Sequence, residues 1–159
     1  MDANHLRKYI VAPALAEIGM HSAQAEDLVM GTAAQESHLK YVRQFNDGPA
    51  RGLFQMEPAT HDDIWNNWLA YKRTVSQELK DAIRFDGFRP NADRLVWDLR
   101  YGAMMCRVHY RRKSEPLPEH GDVEGYAAYW KKHYNTVLGA GTEEEFVKNW
   151  KRYILGERV

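Results

Sequence analysis

AAQESHLKYVRQFNDGPARGLFQMEPAT, residues 33–60, closes one helix, crosses a polar loop and opens another. Its first residues continue a stripe that begins upstream. Ala25, Leu28, Val29, Thr32 and Ala33 are apolar or small at i, i+3, i+4, i+7 and i+8, the spacing of one helical face. The next position on that face is Glu36. A carboxylate therefore stands where the pattern asks for a core residue, and burial disfavours its charged form and raises its pKa. A carboxylic acid that keeps its proton near neutral pH suits protonation of a glycosidic leaving oxygen. On spacing alone, a Glu36 paired with an Arg or capping a neighbouring helix is the commoner outcome.

The loop beyond it adds a second signal. Asp47-Gly48-Pro49 is turn chemistry. Gly52 then precedes Leu53-Phe54-Gln55-Met56, which sets a neutral amide among apolar neighbours. An amide donates and accepts at once, which suits an N-acetyl group or a sugar hydroxyl better than a charge does. Pro58 leads into the next helix, and Thr60 and Asp63 stand at capping-box spacing, with Asp where Glu or Gln is usual.

Taken together, Glu36-Ser37, Gly52-Leu53-Phe54-Gln55-Met56 and Pro58-Ala59-Thr60 resemble the first two signature motifs of the lysozyme-like lytic transglycosylases. These are the soluble lytic transglycosylase domains found in bacteria and in phage virions. The resemblance covers residues 25–65 well and the rest by helical character alone. It implies that Glu36 is the general acid and later the general base, that Ser37 orients its carboxylate, and that Gln55 and Met56 line a saccharide subsite. The reaction implied is cleavage of the β-1,4 bond between N-acetylmuramic acid and N-acetylglucosamine in peptidoglycan glycan strands. The muramic acid's own C6 hydroxyl attacks, giving a 1,6-anhydro product without a second carboxylate. Phe54 stands where the family more often has Met. The third motif of the family, Ala-Tyr-Asn followed by Ala-Gly, has its nearest match in Tyr134-Asn135-Thr136, which keeps Tyr-Asn and lacks the Ala-Gly. Tyr134 and Asn135 are thus substrate-binding candidates. Tyr134 is expected either to hydrogen-bond Glu36 or to pack with Tyr126 and Trp130 as a core aromatic.

Two other readings stay open. A hydrolytic lysozyme needs a second Asp or Glu, roughly 6.5–9.5 Å away in an inverting enzyme. Asp47 is the candidate for it, with Asp62 and Asp63 behind. A phage tail or ejection protein that only grips cell wall is the non-catalytic alternative, because fold does not fix function. The seven histidines show no His-x-x-x-His pair and no zinc-peptidase motif, so neither a metal nor another cofactor is expected.

Composition narrows the field. The 159 residues suggest one domain spanning 1–159. The 22 Lys plus Arg equal the 22 Asp plus Glu, so no global field steers the chain to nucleic acid. Five Trp and nine Tyr are a heavy aromatic load, which fits both a core and faces that stack on sugar rings. The lone Cys106 excludes an internal disulfide and reads as a small buried hydrophobe. The first residues lack the pattern of a signal peptide, and no run is apolar enough to span a bilayer. A wall-degrading chain of this kind is expected in a phage virion, beside other tail proteins, or delivered to the bacterial periplasm and cell wall.

The rest of the chain reads as helices. Leu6, Ile10, Ala14 and Ile18 space the first, with Pro13 as a kink and Gly19 as its end. Ser22 is an N-cap for the helix that carries Glu36. Ile64, Trp65, Trp68 and Leu69 mark a third, and Val75, Leu79 and Ile83 a short amphipathic piece. Asn91 is expected to cap a long central helix with Leu95, Leu99, Gly102, Ala103, Cys106 and Tyr110 on its apolar face. Gly102 and Ala103 would admit another helix there. Asp122 opens a helix with Tyr126, Tyr129, Trp130, His133 and Tyr134, and Gly139 and Gly141 break it. Thr142 with Glu145 caps the last, through Phe146, Val147, Trp150 and Ile154. The expectation is a mainly α single domain, lysozyme-like by resemblance, with room for a small β-hairpin or loop lobe near residues 41–55.

Overall fold

α1, Ala3–Leu6, and α2, Ala12–Glu17, run into one another through a π turn over Arg7–Val11. The cause is Pro13. It has no N–H for the carbonyl four residues back, and the backbone widens so that the Ala12 N–H reaches Arg7, five residues back. The structure is a computed structural model and describes residues 1–135 and 139–159.

α3 spans Ala23–Ser37, and the Ser22 hydroxyl accepts from the Ala25 N–H at 3.0 Å, as its N-cap spacing predicts. Ala25, Leu28, Val29, Thr32 and Ala33 are fully buried. At about 1.5–3 kcal/mol for each large apolar side chain removed from water, this face anchors the helix. α3 ends in left-handed backbone at His38 and Leu39, φ 53° and 58°. That turn throws the chain out into the loop that returns at Glu57.

α4, Pro58–Asn67, starts with Pro in its first turn, a position where the missing N–H costs nothing. Thr60 and Asp63 therefore lie inside the helix and form no capping box. Asp63 instead accepts from Asn67 Nδ2 at 2.7 Å and from Arg112 Nη1 at 3.2 Å. α5 covers Arg73–Ala82 and α6 Arg94–Trp97, before α7, Leu99–Arg111. The expected single helix from Asn91 is thus two. Asn91 closes a turn onto the Asp93 N–H at 2.8 Å, and the chain breaks at Asp98, whose carboxylate caps α7 through the Tyr101 N–H at 3.1 Å.

α7 is buried from Tyr101 to Tyr110. It shares the centre with α3, to which the Tyr110 hydroxyl is tied through Thr32 Oγ1 at 2.7 Å. Gly102 admits the Phe54 ring rather than another helix. α8, Val123–Trp130, continues into a π turn, Lys131–Asn135. α9, Glu143–Asn149, continues into another, Trp150–Ile154. Asp122 and Thr142 cap α8 and α9 as expected, accepting from Gly125 and Glu145. One apolar cluster runs through these elements, from Leu6 to Trp150, and Cys106 lies fully inside it. The fold is mainly α. Among the described residues no helix is long and apolar enough to cross a membrane.

The 41–55 region is a loop lobe rather than a β-hairpin. Its β pairing is limited to isolated bridges, Arg43 to Arg51 and Arg51 to Met56, beside a 3-10 turn over Phe45–Asp47. Gly48-Pro49 and left-handed Asn46 and Asp47 (φ 56° and 54°) interrupt any strand before a ladder can extend.

Candidate active site

α3, the loop lobe, the start of α4, α7 and the turn after α8 meet around a cleft of about 490 Å³. That size falls within the roughly 300–1,000 Å³ range of small-molecule sites. Glu36 enters it from the last turn of α3. The residue is half-buried, and its one hydrogen bond among the described residues comes from the Trp130 indole, Nε1 to Oε1, at 2.9 Å. Among the described residues no cation pairs with it. Burial pushes the carboxyl up to about 7, and the indole N–H offsets only part of that rise.

Trp130 can reach Glu36 because of Gly141. A Cβ at residue 141 would lie 2.6 Å from Trp130 Cη2. Lys131 holds this corner, its ammonium donating to the carbonyls of Gly139 and Gly141 at 2.9 and 2.7 Å and to Asn135 Oδ1 at 2.7 Å. A buried Trp N–H normally finds an acceptor, so Trp130 carried a signal. Its place on the apolar face of α8 hid which acceptor that was.

The loop lobe supplies the opposite wall. Gly52 has φ +75°, and a Cβ there would meet the Leu95 carbonyl at 2.3 Å, so the lobe can press onto the turn before α7 only with glycine at this point. Gln55 follows with φ 47°, a left-handed conformation uncommon for Gln. Its Nε2 donates to the Gly52 carbonyl at 2.8 Å, which leaves the amide oxygen and the other N–H for the cleft. Met56 is buried and lines the cleft while its backbone pairs with Arg51 at 2.9 and 3.1 Å.

Glu36, Gln55, Met56, Tyr134 and Asn135 are thus brought to one cleft. Ser37 and Asp47 are not. Ser37 is buried on the other side of the helix end, and its hydroxyl donates back to the Ala33 carbonyl at 3.0 Å, so Trp130 rather than Ser37 touches the Glu36 carboxylate. Asp47 is exposed in the loop and does not line the cleft. Asp62 and Asp63 are spent elsewhere, on His61 at 2.8 Å and on Arg112 at 3.2 Å. Tyr134 donates its hydroxyl to the Phe54 carbonyl, not to Glu36. It bolts the turn after α8 to the loop lobe, and burial holds its hydroxyl well above the usual tyrosine range. Thr136 lies outside the described residues.

Four further cleft residues were not among the expected site residues. Gln44 fixes the lobe by accepting from the Ala50 N–H at 3.0 Å. Glu57, the exposed residue before Pro58, brings a second carboxylate to the rim. Thr60 adds a hydroxyl from the first turn of α4, and His109 comes from α7. Thr60 belongs to the Pro58-Ala59-Thr60 motif, but nothing in the sequence assigns any of the four to the cleft, since each depends on which turn of a distant element faces the gap. A larger hollow of about 620 Å³ lies along α5 beside Arg73, Gln77 and Phe88, but no buried acid opens into it. Among the described residues, no group of three or more His, Cys, Asp or Glu side chains is placed to hold a metal ion.

No protein-family model, curated protein or solved structure matches this chain.

Proposed function

We propose that this chain is a peptidoglycan-degrading glycosidase of lytic-transglycosylase type. The observation that carries the reading is Glu36, a carboxyl lining a cleft, with an indole N–H for a partner and a pKa raised to about 7. Such a group holds a proton to give at neutral pH and can take one back. Glu36 protonates the oxygen that links N-acetylmuramic acid to N-acetylglucosamine as the C1–O bond breaks. The resulting carboxylate then accepts the proton of the muramic acid's C6 hydroxyl as that oxygen bonds to C1, closing the 1,6-anhydro ring. One carboxyl serves both steps. Gln55 and Asn135 supply neutral amides for acetamido and hydroxyl groups, and Met56 an apolar floor.

Glu57 favours a second reading, a hydrolytic muramidase in which this second carboxyl at the cleft activates water. Mass spectrometry of fragments released from purified peptidoglycan separates the two. Products lighter by one water, lost in Glu36→Gln and kept in Glu57→Gln, are expected. Reducing-end products that vanish in Glu57→Gln would establish the hydrolase. If intact protein binds peptidoglycan yet releases nothing, the chain is a wall-gripping protein and the enzyme reading fails.

A further inference from the structure

His109 is a buried, titratable side chain in the wall of the cleft, and proton transfer from Glu36 makes no use of it. We propose that His109 is a fixed neutral donor whose Nε2–H binds an uncharged acceptor, an acetamido carbonyl or a hydroxyl, of the saccharide in the cleft. The proposal rests on the saccharide reading of that cleft and names one of its specificity-determining contacts.

The tautomer follows from the partner. His109 Nδ1 lies 2.7 Å from Arg112 Nη2, and a guanidinium nitrogen only donates. Nδ1 must present its lone pair, so the ring hydrogen is on Nε2. Arg112 is held from behind by Asp63 of α4, Nη1 to Oδ2 at 3.2 Å. The order Asp63, Arg112, His109 thus reverses the usual carboxylate-to-histidine arrangement, placing a cation rather than an anion against the ring.

The surroundings keep the ring uncharged. Burial acts first, then Arg112 and Lys113 at the end of α7 and His133 from the turn after α8. Asp63 opposes them weakly, and together they hold the imidazole down at about 3. The Tyr134 ring meets His109 edge-on, centroids 4.8 Å apart at 69°, and fixes its plane. The Tyr134 hydroxyl donates to the Phe54 carbonyl, and its contact with His109 is through the ring. Among the described residues nothing accepts from Nε2. A permanent cation at this place would select a carboxylate such as a lactyl or peptide-stem group. A neutral N–H in a low-dielectric wall selects a neutral oxygen and pays no penalty for burying charge.

The test uses full-length Glu36→Gln protein and a probe without carboxylates, an N-acetylglucosamine oligomer. Adding His109→Leu is expected to weaken its binding roughly three- to tenfold, and adding His109→Gln, which keeps an N–H near the place of Nε2, to recover most of that loss. Nitrogen NMR of the histidines is expected to show His109 as the Nε2–H tautomer from pH 5 to 8, with the Nε2 signal moving on oligomer binding. Unchanged affinity in the Leu variant, no recovery in the Gln variant, an Nδ1–H tautomer, or a ring that titrates in that range would each overturn the assignment. Failure of the Glu36→Gln parent to bind the oligomer would instead remove the saccharide reading of the cleft, and the assignment with it.

Discussion

α3 carries two acids nine residues apart, Asp27 buried and Glu36 half-buried, and the protein treats them in opposite ways. Asp27, near the start, is surrounded by partners. Arg7 Nη1 reaches one oxygen at 2.8 Å, and the Tyr126 hydroxyl and His120 Nε2 reach the other at 3.1 and 3.3 Å. Arg7 also holds Glu26 at 2.9 Å, which knits α3 to the turn between α1 and α2. Glu36, near the end, receives one neutral N–H and no cation among the described residues. A fully compensated acid serves architecture. A partly compensated one keeps a proton that the native state can give away.

The widest separation between the two is in activity. Glu36→Gln is expected to lower turnover of peptidoglycan by roughly a thousandfold while leaving binding in place, and assays of release against pull-down measure both. Retained turnover would break the comparison at its functional end. Asp27→Asn should do the reverse. It leaves Arg7 with half of its countercharge in a partly buried place, costing about 3 kcal/mol by chemical denaturation, with the activity of the folded fraction intact.

Stability against pH separates them next. The Glu36 carboxyl, at about 7 in the fold against an ordinary 4.5, binds its proton more tightly folded than unfolded. Its contribution is fully present below about 4.5 and falls as pH rises through 7, by at most about 3 kcal/mol. Glu36→Gln should therefore flatten that part of the profile and be the more stable protein above pH 7. Parallel stability curves for the two proteins between pH 5 and 8 would show that the folded state does not raise this acid.

The same contrast explains what could be read in the chain. Glu36 was legible because a helical stripe breaks its own rule at that position, and the turn residues Gly52 and Pro58 sit where backbone geometry leaves few substitutes. Helix identities followed from periodicity and caps, as at Ser22, Asp122 and Thr142. Where two caps competed, the sequence pointed to the wrong one. Asn91 and Asp98 both offer side-chain acceptors, and in the fold Asp98 caps α7, with the Phe54 ring packed against Gly102 one turn further on. Asp47 looked like a catalytic neighbour because it is near Glu36 in sequence. The cleft is closed instead by α7 and the turn after α8, which bring His109 and Tyr134 from more than seventy residues away, while Trp130 at the end of α8 bonds Glu36. Contacts of that range leave no local trace.

Trp130 gives the finest test of how incomplete the compensation of Glu36 has to be. Its N–H bonds the carboxylate and so favours the charged form, against the burial that disfavours it. Trp130→Phe removes that donor while keeping an aromatic ring against Phe146, whose centroid lies 5.6 Å away. The protonated acid then persists to higher pH, and the descending limb of the turnover profile should move from about pH 7 to about pH 8. The direction is the informative part, because a variant damaged only in packing loses activity evenly across pH. A limb that moves down, or stays, would mean that Trp130 is a wall of the cleft and that something other than this indole sets the proton affinity of Glu36.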